Sequence, residues 1–592
     1  MNKFVYFYRK TIELFRQLSE RNKVLILSVL VSVTAAIAAI VLKSAVHFTQ
    51  QTLENAFPDS QFNYLYLAFP IIGIILTVLF VKLFIKDDLS HGVSKILYAM
   101  SSTGGRLKSH HTYSSIVAST LTVGFGGSVG LEAPITLTGS AMGSQLGKFF
   151  NLSERSVILL VACGATAAVS AIFNAPIAGV IFAIEVLMLD FTTASLLPLL
   201  ISATVAASMS FLILGRTIMF STPVMPTFEM QNLPLYILLG FVTGLYSLYY
   251  IRVAGKIEKF FSRIKHTFVK ILLGGVALSV LIFFFPSFFG EGYNTIAALM
   301  HDNISELFSN SPLFYFRYNR WLLIAFLFML LIFKTFATAL TTGAGGIGGV
   351  FAPALFLGAI AGSLLAILLN TLFGWELSVL NFTLAGMAGV MGSIMQAPLT
   401  AVFLIAEISG GYQLFVPIII TVVPAYLLFH RFEKYSVYTK SLAASGDLIT
   451  HDKDKRAMRQ LNVKTLIEKD FLTLKPEDKL RDLVNTIANS TRNIFPIVDE
   501  DEHFFGIVIM DDVRKIIFEP QKYDTVMVKN LAFMPTVSIH PEESIFEVAE
   551  KFKSNDLYNM VVLDENNKYY GFISRANLFS AYRHAVEAIS ED

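Results

Sequence analysis

Long apolar stretches fill this chain of 592 residues as far as about residue 430, and then they stop. About 20 consecutive apolar residues are enough to cross a bilayer as a helix. Only 15% of the residues are charged and 54% are hydrophobic, whereas an average soluble chain is about 25% charged. These features exclude a purely soluble globule and indicate a multi-pass membrane protein. The candidate spans are Val24 to Leu42, Tyr64 to Phe84, Ser195 to Leu214, Leu235 to Tyr250, Ile271 to Phe285, Trp321 to Leu340 and Phe415 to Leu428.

Charge and cysteine content narrow the class further. The net charge of +2 argues against a nucleic-acid-binding protein. A single cysteine, Cys163, excludes a disulfide framework and a multi-cysteine metal site. No nucleophile and base stand together in a recognisable motif, so we expect neither an enzyme nor a required cofactor or metal.

The polar segment 1–23 carries six Lys or Arg residues before the first span. An excess of basic residues marks the cytoplasmic side of a membrane protein. The first apolar run is too long for a signal peptide and has no small-residue cleavage pattern after it. We therefore expect a protein of the cell membrane with both termini in the cytoplasm.

The membrane part contains an internal repeat. Ala133-Pro134 matches Ala352-Pro353 at a spacing of 219, and the same spacing relates two glycines and a serine further on. Asn174-Ala175-Pro176 then matches Gln396-Ala397-Pro398 at a spacing of 222, which also relates Glu185 to Glu407. The ordered set predicts a duplicated membrane domain.

Both repeats contain a Gly-rich break that leads into an apolar segment, at residues 126–134 and 345–353. Short interrupted segments at matching places in two halves are typical of broken helices that line a site. The start of a helix presents unpaired N–H groups and the positive end of its dipole, which favour an anion. Glu132 lies in the first break, where an intramembrane carboxylate is a functional candidate, and Phe351 takes its place in the second.

The polar tail after the membrane part repeats at a constant spacing of 65, as in Val463-Lys464 and Val528-Lys529. Each copy has a helix-like stretch, Leu480 to Ala488 or Ile545 to Phe552, followed by two strand-like runs. The tail therefore reads as a pair of small α/β modules in which each covers the other's sheet.

Together these motifs resemble the CLC family of chloride channels and chloride/proton antiporters with a C-terminal pair of CBS domains. Residues 130–134 resemble the family's G-[KR]-E-G-P motif, and residues 349–353 resemble G-x-F-x-P. Residues 90–94 stand where the family has G-S-G-I-P, and residues 436–439 resemble the segment that supplies its pore tyrosine. The resemblance runs from about Val24 to Tyr582.

The resemblance implies a role for four residues. Glu132 would be the gating glutamate, whose ionised carboxylate occupies an anion site and blocks it. The amides of Val350 and Phe351 would coordinate chloride, and the Tyr438 hydroxyl would donate a further hydrogen bond. The family also implies a homodimer with two independent pores.

Four positions need separate treatment. His91 falls where the family has its coordinating Ser, so either its ring binds the anion or backbone amides do so while the side chain points elsewhere. Val186 stands where antiporters usually carry a proton-relaying Glu, which favours a channel, although some antiporters also lack that Glu. The preceding Glu185 is either part of a proton path or a helix-packing residue like its repeat partner Glu407.

In the CBS pair, Asp512 is in place to hold a ribose, so the pair either binds an adenine nucleotide or is purely structural.

We therefore expect a multi-pass α-helical membrane protein with an inverted repeat of tilted and broken helices. The expected domains are an N-terminal segment 1–23, a membrane domain 24–440, a linker 441–462 and CBS domains 463–520 and 526–585. The expected function is chloride transport through a channel gated by Glu132, and the alternative is coupled chloride/proton antiport. More distant alternatives are a CBS-regulated cation transporter and a membrane-anchored sensor that transports nothing.

Overall fold

The computed structural model describes residues 17–55, 64–190, 192–215, 220, 228–301, 303–308, 311–313, 319–445, 458 and 461–590. The chain forms two compact units, Met1–Leu448 and Ile449–Asp592. Most of the predicted N-terminal segment 1–23 and the charged run 452–456 of the predicted linker lie outside the described residues.

The first unit is helical. Among the described residues, nine helical segments are long and apolar enough to cross a membrane. Its helices are α1 (Glu20–Asn55), α2 (Phe69–Phe80), α3 (Gly92–Ser102), α4 (His111–Gly124), α5 (Glu132–Phe149), α6 (Glu154–Phe173), α7 (Pro176–Glu185), α8 (Thr193–Leu214), α9 (Leu233–Arg263), α10 (Thr267–Phe284), α11 (Tyr293–Met300), α12 (Ile304–Leu307), α13 (Arg320–Gly343), α14 (Phe351–Phe373), α15 (Val379–Ile394), α16 (Pro398–Ile408), α17 (Phe415–Phe432) and α18 (Lys440–Ser445).

The two sequence repeats fold in the same way. In one, α6 ends at Asn174 with a positive φ of 55°, and α7 then begins at Pro176. In the other, α15 is followed by Gln396 with φ 52°, and α16 begins at Pro398. Proline suits the first turn of a helix because its missing N–H has no intrahelical partner there. The matched turns agree with the duplicated membrane domain predicted from the spacing.

Glycines let the helices of each repeat pack against one another. A Cβ at Gly143 of α5 would overlap the Leu160 carbonyl oxygen of α6, and a Cβ at Gly362 of α14 would overlap the Phe382 carbonyl oxygen of α15. Small residues permit such close backbone approach between membrane helices. These glycines therefore join helices within one chain.

The second unit contains two similar α/β halves. The first has α19 (Val463–Leu466), α20 (Leu480–Asn489), β1 (Ile494–Val498), β2 (Phe504–Ile509) and α21 (Met510–Val513), and the second has β3 (Ser538–Ile539), α22 (Ile545–Asn555), β4 (Asn559–Leu563), β5 (Tyr569–Ser574) and α23 (Arg575–Ser590). In each half two antiparallel strands pair, β1 with β2 and β4 with β5. Apolar residues from both halves, including Phe504 and Phe572, form one cluster between them. The two modules cover each other's sheets as the sequence predicted.

Candidate anion pathway

The two Gly-rich breaks meet. The N–H of Gly130 donates to the Gly349 carbonyl over 2.9 Å, and the N–H of Gly349 donates to the Gly130 carbonyl over 2.7 Å. This antiparallel bridge holds the start of α5 against the start of α14. Residues that lie 219 positions apart in the sequence are thus brought to one point inside the membrane domain.

Neither helix start is capped by the side chain of the residue that precedes it. The residues before the first turns, Leu131 for α5 and Val350 for α14, make no side-chain cap hydrogen bond. The backbone N–H groups of a first turn have no acceptor within their own helix, and the helix dipole places positive potential there. Two such ends side by side form an anion-binding arrangement built from uncharged groups.

Glu132 is the first residue of α5 and is only 2% exposed. Its Oε1 accepts a 2.7 Å hydrogen bond from the hydroxyl of Tyr293, while Oε2 has no hydrogen-bond partner among the described residues. The carboxyl folds back over Gly130, where any Cβ would overlap Oε2. The backbone N–H groups of Glu132 and Ala352 lie near enough to stabilise its negative charge. The carboxyl therefore occupies the point where the two helix starts converge.

A buried lysine supports the first break. Lys334 of α13 is 0% exposed, and its Nζ donates to Ser128 Oγ over 2.8 Å. The same Nζ lies 4.6 Å from the centre of the Phe356 ring, which offers a cation a favourable π face. The Ser128 N–H donates to Thr341 Oγ1 over 3.1 Å. A basic side chain thus lies close to the two helix starts.

A cavity of about 860 Å³ leads toward the gate from the side where α1 ends. It is lined by residues of α1, including Lys43, by Leu131, which precedes Glu132, by Tyr293, which is bonded to Glu132, and by Glu291. Glu291 Oε1 accepts a 3.3 Å hydrogen bond from the Leu131 N–H. The carboxyl of Glu291 therefore both lines the cavity and contacts the residue before Glu132.

The other predicted chloride ligands lie in the same core. Phe351 is buried as the first residue of α14, and its ring stacks on that of Phe173 with centroids 4.9 Å apart. Tyr438 is also buried and belongs to the same apolar core cluster as Phe351. Its carbonyl oxygen accepts a 2.7 Å hydrogen bond from Ser94 Oγ of α3. The structure therefore gathers Glu132, Val350, Phe351 and Tyr438 around one region, while their roles as ligands stay predictions.

The His91 side chain is directed to Glu258 and to the surface. The residue precedes α3, its side chain is 54% exposed, and its ring Nε2 lies 3.1 Å from Glu258 Oε1 of α9. The hydrogen bond to this carboxylate raises the pKa of His91 above its ordinary value, against the opposing effect of partial burial. Because the ring is engaged with Glu258, backbone amides at the start of α3 are the groups available to an anion here. A chloride-binding role for His91 stays a prediction.

Glu185 and Glu407 cap each other's helices. Glu185, the last residue of α7, accepts hydrogen bonds from the N–H groups of Leu399 and Thr400 at the start of α16, over 3.0 and 2.7 Å. Glu407 of α16 accepts from Ile177 and Ala178 at the start of α7, over 3.0 and 2.8 Å.

Val186, the residue after Glu185, is 4% exposed and follows the last turn of α7. Because both carboxylate oxygens of Glu185 accept hydrogen bonds from the start of α16, the geometry favours a helix-packing role for Glu185 over a place in a proton path.

In the second unit, Asp512 lies exposed in α21, with no side-chain hydrogen bond among the described residues. Its counterpart Asn577 donates from Nδ2 to the Leu466 carbonyl over 3.2 Å. The asparagine is thus used inside the fold, whereas the aspartate carboxylate is open to solvent. A nucleotide-binding role for Asp512 stays a prediction.

Three residues of the pathway were missed by sequence reasoning: Tyr293, Glu291 and Lys334. Lys334 carried a readable signal, because a lysine within an apolar helix of membrane-spanning length is costly and is a functional candidate. Glu291 and Tyr293 follow an apolar run and precede a short helix, so their sequence positions resemble an ordinary connection. Only the tertiary fold brings Tyr293 to the Glu132 carboxyl and Glu291 to the Leu131 N–H.

The comparisons with known proteins agree with this architecture. The family model described as voltage gated chloride channel matches residues 72–430, and the CBS domain model matches residues 463–519 and 525–584. The chain is 30% identical over 331 residues to the voltage-gated ClC-type chloride channel ClcB of Escherichia coli strain SMS-3-5, which covers 55% of this chain and 74% of that protein. The fold is similar to that of a solved slow cyanobacterial Cl⁻/H⁺ antiporter, with a TM-score of 0.62 at 23% identity. The match covers 72% of this chain and 99% of the antiporter chain. The fold is also similar to that of a solved eukaryotic CLC transporter, with a TM-score of 0.62 at 17% identity. That match covers 94% of this chain and 97% of the transporter chain.

Fold and site together define a membrane protein built to hold an anion between two broken helices. The chain belongs to the voltage gated chloride channel family, whose model matches more than half of its residues, and it carries two CBS domains. The predicted class, CLC-type chloride transport, is therefore confirmed.

Proposed function

We propose that this protein conducts chloride through the point where α5 and α14 begin, and that Glu132 gates it. The observation that carries the proposal is the position of the Glu132 carboxyl at the two uncapped helix starts, bridged by Gly130 and Gly349. An ionised carboxylate there competes with chloride for the same positive potential. Protonation or displacement of the carboxylate frees the site.

Backbone amides suit conduction because uncharged dipoles hold an anion without trapping it. The Tyr438 hydroxyl adds a donor that suits chloride, and Lys334 adds a basic group close by. No row of intramembrane carboxylates accompanies Glu132 and Glu291 in the described pathway, as a cation transporter would need. The site therefore supports an anion.

The residues at the C-terminal end of α7 favour passive chloride conduction over coupling to protons. Val186 cannot carry a proton, and Glu185 has both carboxylate oxygens engaged at the start of α16. Coupled chloride/proton antiport is the second candidate, because a protein of this fold bears the name Cl⁻/H⁺ antiporter. In that case the inner proton path would avoid Val186.

The gating role is tested with Glu132→Gln in the purified full chain in liposomes. Glutamine keeps the shape but cannot ionise, so chloride efflux should be high and no longer depend on pH. Glu376→Gln is the matched control, since Glu376 lies exposed before α15, and it should behave as wild type. If the Glu132→Gln protein keeps the wild-type pH dependence, Glu132 is not the gate.

We propose a homodimer in which each chain has its own pathway. The support is family membership, together with exposed apolar residues beside the reciprocal caps, such as Ile177 at 41% and Leu399 at 56% exposure. Light scattering of the protein in detergent should give twice the mass of one chain. A single-chain mass at every concentration would contradict this proposal.

We propose that the protein lies in the cell membrane with both termini in the cytoplasm. The support is the basic segment before α1 and the excess of basic residues expected on the cytoplasmic side. Tags at either end should resist a protease added outside intact cells. Cleavage of either tag would overturn the orientation.

We propose that the CBS pair binds one adenine nucleotide, with Asp512 holding the ribose. The support is the exposed carboxylate of Asp512, in contrast with the internal hydrogen bond of Asn577. Calorimetry with ATP or AMP should show one site per chain in the wild type and none in Asp512→Ala, while Asp556→Ala, at another exposed carboxylate, should leave binding intact. The absence of heat at millimolar nucleotide would leave the pair a structural module.

A further inference from the structure

A second carboxyl group lies beside the gate. Glu291 lines the cavity and accepts the Leu131 N–H over 3.3 Å, so it is anchored to the residue immediately before Glu132. Tyr293, two positions further along the chain, binds Glu132 Oε1 over 2.7 Å and lines the same cavity. One short segment therefore contacts Glu132 through a hydroxyl and the preceding residue, Leu131, through a carboxylate.

Charged groups from several elements face Glu291. Glu132 of α5, Lys43 of α1 and Lys334 of α13 all lie near enough to act on its charge. The cavity wall adds His47 of α1 and Glu306 of α12. Acidic and basic side chains thus act on one another beside the cavity. Two carboxylates that act on each other's charge cannot both ionise without a mutual penalty.

Resting on the proposed gating function, we propose that Glu291 is a proton-binding partner of Glu132 on the cavity side. The two carboxyls share one proton, and ionised Glu291 promotes protonation of Glu132. A proton that arrives through the cavity meets Glu291 before Glu132. The pair, and not Glu132 alone, sets the pH at which the pathway opens from this side.

The position of Glu291 explains why the proton should arrive from the cavity. Glu132 itself is 2% exposed and does not line the cavity, whereas Glu291 does. Tyr293 lines the same cavity as Glu291 and donates to Glu132 Oε1, so its hydroxyl also links the cavity wall to the gate. Protons from the opposite side would have to pass the Val186 and Glu185 region, which offers no free carboxylate.

The experiment records chloride current of the full chain in a planar bilayer while pH is changed on one side at a time. Glu291→Gln should move the opening midpoint on the cavity side by about one pH unit toward acid and make the transition less steep. The midpoint for pH changes on the other side should move less. Glu291→Asp, which withdraws the carboxyl by one methylene group, should give an intermediate shift.

Glu306→Gln is the control, because Glu306 lines the same cavity but is exposed and makes no hydrogen bond to Leu131. It should leave the midpoint unchanged. Current at acid pH shows that each variant is folded, and Glu291→Asp keeps the test valid if Glu291→Gln does not assemble.

Unchanged midpoints in both Glu291 variants, with a pH-dependent wild type, would overturn the inference and leave the gating proposal intact. If the Glu132→Gln variant keeps the pH response of the wild type, both the inference and the gating proposal are wrong.

Discussion

The hydroxyl of Tyr293 donates a 2.7 Å hydrogen bond to Oε1 of Glu132, 161 positions earlier in the chain. The bond ties the gate to the start of α11, and it holds the carboxyl over Gly130 at the meeting point of α5 and α14. A tyrosine hydroxyl is a good partner for an ionised carboxylate because its O–H donates a hydrogen bond that the carboxylate oxygen accepts. The carboxyl of the proposed gate is therefore held by a hydrogen bond.

Tyr293→Phe removes that donor without changing the ring. A hydrogen bond to a charged group contributes about 1.5–3 kcal/mol, so the ratio of closed to open gates should fall roughly tenfold at neutral pH. Single-channel open probability measures this ratio. Tyr98→Phe changes an exposed tyrosine of α3 and should have no effect. An open probability unchanged by Tyr293→Phe would show that the bond does not hold the gate.

Glu185→Ala and Glu407→Ala should have the same effect, because the two carboxylates cap each other's helices. Each change leaves two backbone N–H groups at a helix start without their acceptor, at a cost of about 1–3 kcal/mol. The thermal midpoint in detergent should fall by a similar amount in both. Glu376→Ala, at an exposed site, serves as control. A change in proton flux confined to Glu185→Ala, with no loss of stability, would give Glu185 a transport role instead.

Gly362→Ala should disrupt the packing of α14 on α15. The added Cβ overlaps the Phe382 carbonyl oxygen, and overpacking of this kind costs about 1–3 kcal/mol. Gly255→Ala is the matched change in α9, where a Cβ meets nothing within 4 Å. That variant should be neutral or up to about 1 kcal/mol more stable, since alanine favours the helix. Thermal unfolding that ranks the two variants in the opposite order would refute the packing account.

The pairing of His91 with Glu258 should give a pH-dependent contribution to stability. The pKa of His91 is raised in the folded protein by the Glu258 carboxylate. The contribution is therefore complete below the unfolded value of about 6.5 and is lost as the pH rises through the raised value. Both side chains are more than half exposed, so the effect should be no more than about 1 kcal/mol.

The measurement for this pair compares the thermal midpoints of wild type and Glu258→Gln across that range. The difference should be present in acid and vanish in alkali. A difference that grows as the pH rises would show that Glu258 does not stabilise the protein through protonated His91.

Much of the fold was readable because repeats constrain structure. The spacing of 219 placed the two breaks, and the helix starts at Glu132 and Phe351 lie inside the predicted segments. The CBS helices and strands end within a few residues of the predicted bounds, because alternating apolar residues and turn residues mark them locally. The membrane spans were predicted less well at their ends: α1 extends over Glu20–Asn55, whereas the apolar run covers only Val24 to Leu42.

The site was predictable only where a motif carried it. Glu132, Phe351 and Tyr438 stand in motifs, whereas Tyr293 and Glu291 reach the gate through packing of α11, which no local pattern encodes. The reciprocal caps were half visible, since the matched spacing of Glu185 and Glu407 indicated a shared role without showing that each serves the other's helix. His91 shows the opposite limit: alignment placed it at the pathway, but the nearby Glu258 of α9 holds its ring.

The reversal potential tests the central claim that chloride passes passively through a gated pathway. The purified wild-type protein is placed in a planar bilayer with a fixed chloride gradient, and a pH gradient is then added. We predict a reversal at the chloride equilibrium potential that does not move when the pH gradient is imposed. A reversal set jointly by chloride and protons would contradict the channel and establish antiport, and the absence of any chloride current would contradict the proposed function as a whole.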